Sequence, residues 1–306
     1  MLRTAASPPV SRHPVRVFEA VVAEVRDLGP HFRRITLAGP ALRDFGVPGP
    51  TLDLRVKLIL PAPGHPLTPP GAPDGTLQPG WYQAWLRQEQ PGRGFIRSYT
   101  VRALRQSPAG PHIDIDVVLH DGPAAHAGPG SAWALNAVPG QPACFVGPDA
   151  AAVTAATPLP EAGINWKPGS ARHVLLAGDE TAVPAISSIL EALPEHLSGN
   201  AYLEVPDARG VLPITTRSGV GVTWLDRDSG AVPRGRRLEQ AVGDAVARNG
   251  VGPGTYAWVG AETGTVGALR RCLVGAGLDP RTSEFRGYWS RGKAGSGANG
   301  IPLAAT

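Results

Sequence analysis

The chain of 306 residues has little cysteine, with Cys144 and Cys272 as its only two. Two thiols are too few for the disulfide framework of a small secreted domain, and too few for the four thiolates of an iron–sulfur cluster. Charged residues make up 18% of the chain, and hydrophobic residues make up 42%. That balance is typical of a folded globular protein rather than of a highly charged disordered one.

Long hydrophobic runs are also absent. No apolar run approaches the roughly 20 residues needed to span a bilayer. The first residues include Arg3 but lack the apolar segment and cleavage pattern of a secretory signal. We therefore expect a cytoplasmic protein without a membrane span, and a monomer is the default expectation.

Positive charge is in mild excess, with a formal net charge of +4 and a sequence pI near 9.4. The chain has no dense Lys/Arg stripe and no known nucleic-acid motif, so we expect no nucleic-acid partner. An anionic small molecule such as a nucleotide fits this charge as well. The alternative is a solvated surface with no specific anionic partner.

The first half of the chain is rich in strand patterns and turn residues. Leu54, Val56 and Leu58 alternate with Asp53, Arg55 and Lys57, which is the period-2 pattern of a half-buried strand. Further strands are predicted over residues 15–25, 33–38, 95–103, 112–120 and 142–146, and a short helix begins near 128–131. Residues 61–94 are predicted as a long loop rich in proline and glycine. Many strands with little helix predict an antiparallel β-barrel.

The pattern changes after a linker at residues 148–170. Short apolar strands then alternate with amphipathic helices: strands at 173–177, 201–205, 222–225, 256–259 and 285–289, and helices at 180–193, 236–248 and 264–276. This alternation indicates βαβ units and a parallel sheet. The predicted fold is α+β with two domains, a β-barrel over residues 15–148 and an α/β parallel-sheet domain over residues 171–306. A chain of this length also favours two domains over one.

The tetrapeptide Arg97-Ser98-Tyr99-Thr100 lies on one of the predicted strands. Period 2 places Arg97 and Tyr99 on one face and Ser98 and Thr100 on the other. An arginine fork can clamp a pyrophosphate, a tyrosine ring can stack on a flat cofactor, and a hydroxyl can bond a ring nitrogen. The alternative is an ordinary strand with a tyrosine in the core.

Two glycine-containing segments precede predicted helices. In the first, Gly128-Pro129-Gly130-Ser131-Ala132-Trp133-Ala134, Ser131 can cap a helix whose N-terminus suits a phosphate. In the second, Leu175 to Ile186, a strand is followed by a tight turn and a helix, at an edge where ligands bind in open α/β sheets. The alternatives are a plain capped helix and a βα turn without a ligand.

Two later segments are also candidates. Trp258-Val259-Gly260-Ala261-Glu262 lies at a predicted strand end, where a second loop can close over a nicotinamide. Residues 286–293 are basic and aromatic, although a terminal strand with a solvated tail explains them equally well.

Taken together and in order, these segments resemble the siderophore-interacting protein family, a branch of the ferredoxin-reductase-like flavoproteins. The residues that carry the resemblance are Arg-Ser-Tyr-Thr-Val-Arg at 97–102, the acidic strand ending at Leu119-His120, Gly-Pro-Gly-Ser-Ala-Trp-Ala at 128–134, Ala-Gly-Asp-Glu-Thr-Ala-Val-Pro-Ala-Ile at 177–186, Tyr-Leu-Glu-Val at 202–205, Trp224-Leu225, Gly-Ala-Glu at 260–262 and Gly-Tyr-Trp at 287–289. The resemblance covers roughly residues 16–293. The family typically has a basic residue at the position of Ser290, and this chain departs from it there.

The resemblance implies an N-terminal FAD-binding barrel, a C-terminal NAD(P)-binding domain and a set of cofactor contacts. For FAD the implied contacts are Arg97, Ser98, Tyr99, Thr100, His120, Gly130, Ser131, Ala132 and Trp133, with Thr100 nearest the reactive ring edge. For the nicotinamide nucleotide they are Gly178, Asp179, Glu180, Thr181, Ala182, Gly260, Ala261 and Glu262. Lys57, Arg291 and Lys293 are expected to attract an anionic ferric siderophore.

The implied activity is NAD(P)H-dependent, FAD-containing reduction of a ferric siderophore, which releases iron as Fe(II). The flavin carries the redox chemistry, so we expect cofactor contacts rather than a catalytic acid or base, and no protein-bound metal. A general flavin or ferric reductase, a reductase of a partner protein, and a non-catalytic flavin or siderophore binder are the alternatives.

The choice between NADH and NADPH depends on the charges near the nucleotide ribose. Glu204 ends the second strand of the C-terminal domain, where a carboxylate can bond a ribose hydroxyl and favour NADH. Arg209, Arg217 and Arg227 can instead favour the extra phosphate of NADPH if they approach that site.

Overall fold

The structure, a computed structural model, describes residues 13–89, 91–119 and 128–292. Over these residues the chain forms a seven-stranded antiparallel sheet followed by a five-stranded parallel sheet. All strands of the first sheet fall within residues 15–148, and all strands of the second fall within residues 171–306. The predicted fold class is confirmed.

The first sheet has the spatial strand order β4-β3-β7-β1-β2-β6-β5. Its strands are β1 (Val15–Asp27), β2 (Phe32–Ala38), β3 (Arg55–Leu60), β4 (Phe95–Thr100), β5 (Ala103–Arg105), β6 (His112–Val118) and β7 (Pro142–Pro148). Helix α2 (Pro129–Asn136) precedes β7. The edge strands β4 and β5 are consecutive, and Arg102 N between them donates to Asp114 O at 2.8 Å, so the sheet curls around its own core.

Alternation along the strands explains that core. Leu54, Val56 and Leu58 are fully buried, as the period-2 pattern predicts. Phe18 and Phe145 stack with ring centroids 5.3 Å apart, and Phe45 meets both rings edge-on. Apolar side chains from opposite ends of the barrel segment therefore fill one interior.

The segment at residues 61–94, predicted as a loop, contains a short helix, α1 (Trp81–Leu86). Trp81, Tyr82 and Trp85 are buried against the outer face of the barrel, where they pack with residues such as Ile59. Three large aromatic side chains in six residues supply enough apolar surface to hold a two-turn helix on the sheet. The second face of β3 is consequently covered as well.

The second sheet has the order β10-β9-β8-β11-β12, with every neighbouring pair parallel. Its strands are β8 (His173–Gly178), β9 (Ser198–Val205), β10 (Gly219–Asp226), β11 (Thr255–Glu262) and β12 (Glu284–Trp289). Helices α3 (Val183–Ala192), α4 (Arg236–Asn249) and α5 (Thr263–Gly275) connect them. The predicted start of α3 at residue 180 is wrong, because Asp179 caps a separate 3-10 turn at Glu180–Ala182.

A buried carboxylate joins the two sheets. Asp53 precedes β3, is 2% exposed, and accepts hydrogen bonds from Asn165 N, Trp166 N and the Trp258 indole at 3.1, 3.0 and 2.9 Å. Arg102 adds a bidentate ion pair with Glu191 of α3. One barrel residue thus contacts both the linker and the second sheet.

None of the helices in the described part of the chain is long and apolar enough to cross a membrane.

Candidate functional site

Strands β3 and β4 bring the predicted flavin-binding motif next to two further basic residues. In their antiparallel register Tyr99 lies opposite Val56 and Arg97 opposite Leu58. On the other face Thr100 lies opposite Arg55 and Ser98 opposite Lys57. The predicted division of the motif between two faces is confirmed, because directly opposed residues share a face of the sheet.

Arg97 and Tyr99 lie at the edge of the barrel core. Among the described residues, the Arg97 guanidinium donates only to the neighbouring carbonyl of Ile96, at 2.8 Å, and it lies over the ring of Phe95. Burial lowers the pKa of Arg97. Burial also raises the pKa of Tyr99 to about 12, so the phenol stays neutral at physiological pH. A cation and a flat neutral ring are therefore presented side by side.

Helix α2 begins directly against Tyr99. A Cβ at Gly130 would lie 1.8 Å from the Tyr99 hydroxyl oxygen, so only glycine permits this approach. The prediction that Ser131 caps the helix is wrong, because Gly128 is the N-cap residue and Ser131 lies within the first turn. Trp133 is 8% exposed and packs into the barrel core. The backbone at Gly130–Ala132, not the Trp133 ring, remains the candidate contact.

Lys57 is buried, not presented to solvent as a siderophore contact would be. Its side chain lies on the face covered by α1, with the ammonium 5.2 Å from the centre of the Tyr82 ring. The residue is 2% exposed. Burial, and then the nearby charge of Arg55, lowers the pKa of Lys57 to about 8. Lys57 can therefore attract an anion through its charge, but its buried ammonium does not contact an anion at the protein surface.

The basic residues of β3 and β4 have no carboxylate partner among the described residues, unlike most half-buried arginines of the protein. Arg34 pairs with Asp116 at 2.6 Å, and most other half-buried arginines have similar partners. No described carboxylate lies within ion-pair distance of Arg55, Lys57 or Arg97. The Arg55 Nε is buried without a hydrogen-bond partner among the described residues. Buried charge without a partner is costly, which points to an anion that completes the site.

These groups fit FAD, the cofactor that the resemblance implies. A diphosphate suits Arg97 and the adjacent start of α2. A flat ring suits Tyr99, and the uncompensated cations suit an anionic ligand. The fit rests on the orphaned Arg55 nitrogen and on the contact between Gly130 and Tyr99.

The carboxyl ends of β8 and β11 meet at the second candidate region. A Cβ at Gly178 would lie 2.6 Å from the Ala182 Cβ and 2.9 Å from Gly260 O, so glycine lets α3 pack tightly on the sheet. Ala261 is fully buried. Asp179 is 1% exposed and accepts hydrogen bonds from the Trp289 indole at 2.8 Å and from Glu262 N at 2.9 Å. These side chains hold the strand ends together, and the backbone and Thr181 remain the candidate nucleotide contacts.

Burial, and then the charge of Glu180, raises the pKa of Asp179 to about 6. Glu180 itself is fully buried and bonds Arg227 at 2.8 Å and Arg234 at 2.9 Å. Burial alone would raise the pKa of Glu180, but Arg227 and Arg234 lower it below its usual value. The carboxylates of Asp179 and Glu180 are internal, so the predicted nucleotide contact of these two residues stays a prediction for their backbone rather than for their side chains.

The proposed ribose contact of Glu204 is wrong. Glu204 is fully buried and accepts from Arg227 at 3.1 Å and from Gly235 N and Leu238 N at the start of α4. Arg227 is consumed by the same network. Arg217 precedes β10 and lies at the amino end of the sheet, opposite the ligand-binding edge. Arg209 and Arg227 both follow carboxyl strand ends, but only Arg209 has an exposed side chain, which pairs with Asp207 at 2.6 Å.

The end of β12 is fastened over this edge. Glu262 caps α5 through Gly264 N and Thr265 N, and its other oxygen accepts from Arg291 N at 3.1 Å. Arg291 is exposed, as a siderophore contact requires. Arg234 lies 5.0 Å above the ring of Trp289. The predicted contacts His120 and Lys293 lie outside the described residues.

Sequence reasoning missed the residues that line the boundary between the domains. Tyr288 of β12 lies beside Thr100 and near Arg55, and burial raises its pKa. Arg286 adds a second guanidinium near Arg55. Pairing the two predicted strands in register would have placed Arg55 opposite Thr100, but no sequence signal brings β12 to the same place.

Family models match both halves of the chain. The model described as "Siderophore-interacting FAD-binding domain" matches residues 21–152, and the one described as "Siderophore-interacting protein" matches residues 171–292. The Mycobacterium tuberculosis protein "Uncharacterized protein Rv2895c" is 32% identical over 288 residues, covering 92% of each chain.

Two further relatives carry descriptions. A siderophore utilization protein from T. fusca has a solved structure that superposes with a TM-score of 0.72 at 28% identity, covering 94% of this chain and 97% of that one. The Vibrio cholerae protein "Ferric vibriobactin reductase ViuB" is 32% identical over 201 residues, covering 64% of this chain and 65% of its own length.

Proposed function

This chain belongs to the siderophore-interacting protein family, and we propose that it is an NAD(P)H-dependent, FAD-containing ferric-siderophore reductase. The observation that carries the proposal is a set of three cations, Arg55, Lys57 and Arg97, around the predicted flavin-binding motif, none of which pairs with a carboxylate of the described residues. An anionic cofactor and an anionic substrate account for cations that the protein itself leaves uncompensated.

Arg97 and the start of α2 would hold the FAD diphosphate. Both groups present positive charge, and Gly130 keeps the helix close to Tyr99. Tyr99 would hold the ring system, while Thr100 on the opposite face of β4 would orient the reactive edge. Because the Tyr99 phenol stays neutral, it binds a flat ring without adding charge.

The carboxyl edge of the second sheet would bind the reduced nicotinamide. Ligands of open α/β sheets bind beyond the carboxyl ends of the strands, which here are the ends of β8 and β11. Asp179 holds these two ends together, since its carboxylate accepts from Glu262 N of β11. The exposed backbone after Gly178 is the contact we propose.

Bound FAD would supply the redox chemistry, which is the acceptance of a hydride from the nicotinamide and the delivery of single electrons to Fe(III). The protein orients the partners and attracts the acceptor. Lys57 lies beneath the surface and exposed Arg291 above the second sheet, so both would favour the approach of an anionic complex. A ferric siderophore is the proposed acceptor because the relative from Vibrio cholerae is described as a ferric vibriobactin reductase.

The proposal is tested with the purified protein saturated with FAD under anaerobic conditions. Flavin absorbance is recorded before and after addition of NADH or NADPH, and ferric siderophores are then added in the presence of a ferrous-specific chelator. We expect one nucleotide to bleach the flavin bands and a ferric siderophore to restore them, with formation of the ferrous chelate.

Two controls separate the alternatives. Free FAD at the same concentration, without protein, gives the background rate of iron reduction. Ferric citrate and a reducible partner protein such as a ferredoxin replace the siderophore in parallel reactions. Faster turnover of ferric citrate would favour a general ferric reductase, and faster turnover of the ferredoxin would favour a partner-protein reductase. If the protein oxidises neither NADH nor NADPH, only a binding role is left.

A further inference from the structure

The proposed function counts Arg55 among the cations that attract an anion, but it gives this residue no role in the chemistry of the cofactor. The two residues are directly opposed in the β3–β4 register, which places their Cβ atoms about 4.5–5.5 Å apart. Thr100 is the residue expected nearest the reactive edge of the flavin. Arg55 is thus close enough for its charge to act on a ring held at Thr100.

Arg55 forms no ion pair with a described carboxylate, although the more distant charges of Asp53 and Glu284 act on it. Its Nε is buried and has no hydrogen-bond partner among the described residues. The two nearest carboxylates are committed elsewhere, since Asp53 accepts three N–H groups and Glu284 pairs with Arg286. Burial, and then the charge of Arg286, lowers the pKa of Arg55. An arginine nevertheless keeps its proton in proteins, so the positive charge persists.

The surroundings of Arg55 favour a ligand that is already inside the site. Tyr288 and Arg286 of β12 lie near it. Lys57, on the same face, is covered by Tyr82. A bulky ferric complex approaches a surface, whereas the half-buried guanidinium of Arg55 can act on a group that is held beside it.

Reduction creates a negative charge at this place. A hydride brings two electrons and one proton to the neutral oxidised ring, and the nicotinamide leaves as the oxidised nucleotide, so the ring gains one negative charge. A cation near the ring then interacts more strongly with the reduced form than with the oxidised form.

We propose that Arg55 is a charge-compensating residue that favours reduced over oxidised FAD in this protein. The inference rests on the proposed function, because it requires FAD at Thr100. It also explains why an arginine without a described ion pair occupies a half-buried position. The same charge destabilises the protein without cofactor, so its removal should not weaken the apo-protein.

The test compares the wild type with Arg55→Gln, Arg55→Lys and the control Arg26→Gln, which removes an exposed arginine from β1. The reduction potential of bound FAD is measured anaerobically against a reference dye. We expect Arg55→Gln to lower the preference for reduced over oxidised FAD by about tenfold, equivalent to about 30 mV for a two-electron couple. Arg55→Lys should retain most of the preference, and Arg26→Gln should match the wild type.

Thermal unfolding of the apo-proteins gives a second measurement that does not depend on turnover. We expect apo Arg55→Gln to be at least as stable as the apo wild type. An unchanged potential in Arg55→Gln, or an apo-protein that is markedly less stable, would overturn the inference and indicate a structural role. If the wild type binds FAD and the reduction potential of bound FAD is the same in Arg55→Gln, only this inference is refuted. A wild type that binds no FAD refutes the proposed function as well.

Discussion

Replacing Arg227 by glutamine should destabilise the folded protein strongly and in a pH-dependent way. The Arg227 guanidinium is 3% exposed and bonds both Glu180 and Glu204, at 2.8 and 3.1 Å. Its loss leaves Glu204 buried without a counter-ion and leaves Glu180 with Arg234 alone. Breaking a buried ion pair by removing one partner typically costs about 3–5 kcal/mol. We expect a decrease of that size in the free energy of unfolding at pH 7.

The pH dependence follows from the pKa of the carboxyls. In the wild type the pKa of Glu180 is lowered, so its contribution is present above the unfolded pKa and is lost as the pH falls through the folded pKa. In the variant, buried carboxyls without Arg227 have raised pKa values and become protonated on mild acidification. As the pH falls, the loss of unfolding free energy caused by the substitution should therefore decrease by about 1.4 kcal/mol per pH unit. This holds over the pH range in which one carboxyl is protonated in the folded variant but not in the unfolded chain or the wild type.

The measurement is denaturant unfolding of both proteins at pH 7 and pH 5. Arg237→Gln is the matched control, because its ion pair with Asp228 at 2.7 Å is exposed and should be worth at most about 1 kcal/mol. The double variant Glu180→Gln/Arg227→Gln should be less destabilised than the sum of its single changes. A cost for Arg227→Gln below about 1 kcal/mol, or one that does not change with pH, would refute the reasoning.

Two further predictions concern the flavin site. Arg97→Gln should weaken FAD binding at least about tenfold, because charge-assisted hydrogen bonds are worth about 1.5–3 kcal/mol. The control Arg93→Gln alters an arginine over the ring of Trp85 and should not weaken FAD binding. Titration of the apo-proteins with FAD measures both affinities, and equal affinities would contradict the assignment. Gly130→Ala should lower the free energy of unfolding by about 1–3 kcal/mol and weaken FAD binding, since the new Cβ meets the Tyr99 hydroxyl. The control Gly243→Ala on α4 should be neutral or stabilising. An unaffected Gly130→Ala protein would show that Tyr99 moves aside without cost.

The fold followed from the sequence because local patterns predicted most of its strands and helices, although not α1. Alternation gave the core side chains Leu54, Val56 and Leu58, and the change from strands to alternating strands and helices separated the two sheets. The two faces of the motif at residues 97–100 also followed from period 2. Short-range spacing carries this information directly.

The surroundings of the site could not be predicted in the same way. The alternation at β3 predicts a polar face in solvent, but Lys57 is buried beneath α1 and Arg55 lies beside β12, which is more than 200 residues later in the chain. Local pattern contains no information about what covers a strand. The burial of Glu204 could not be predicted for the same reason, because its partners Arg227 and Gly235 lie in the connection between β10 and α4.

The joint at Asp53 limits how this chain can be recombined with its relatives. Asp53 bonds two backbone N–H groups of the linker, which any sequence supplies, and one indole N–H, which only Trp258 supplies. A chimera that exchanges the second sheet must keep a hydrogen-bond donor at position 258. Otherwise the buried Asp53 carboxylate loses one of its three hydrogen bonds between the two sheets. A crossover placed before residue 165 takes the two linker donors and residue 258 from the same parent, so all three bonds are kept if that parent also has tryptophan at position 258.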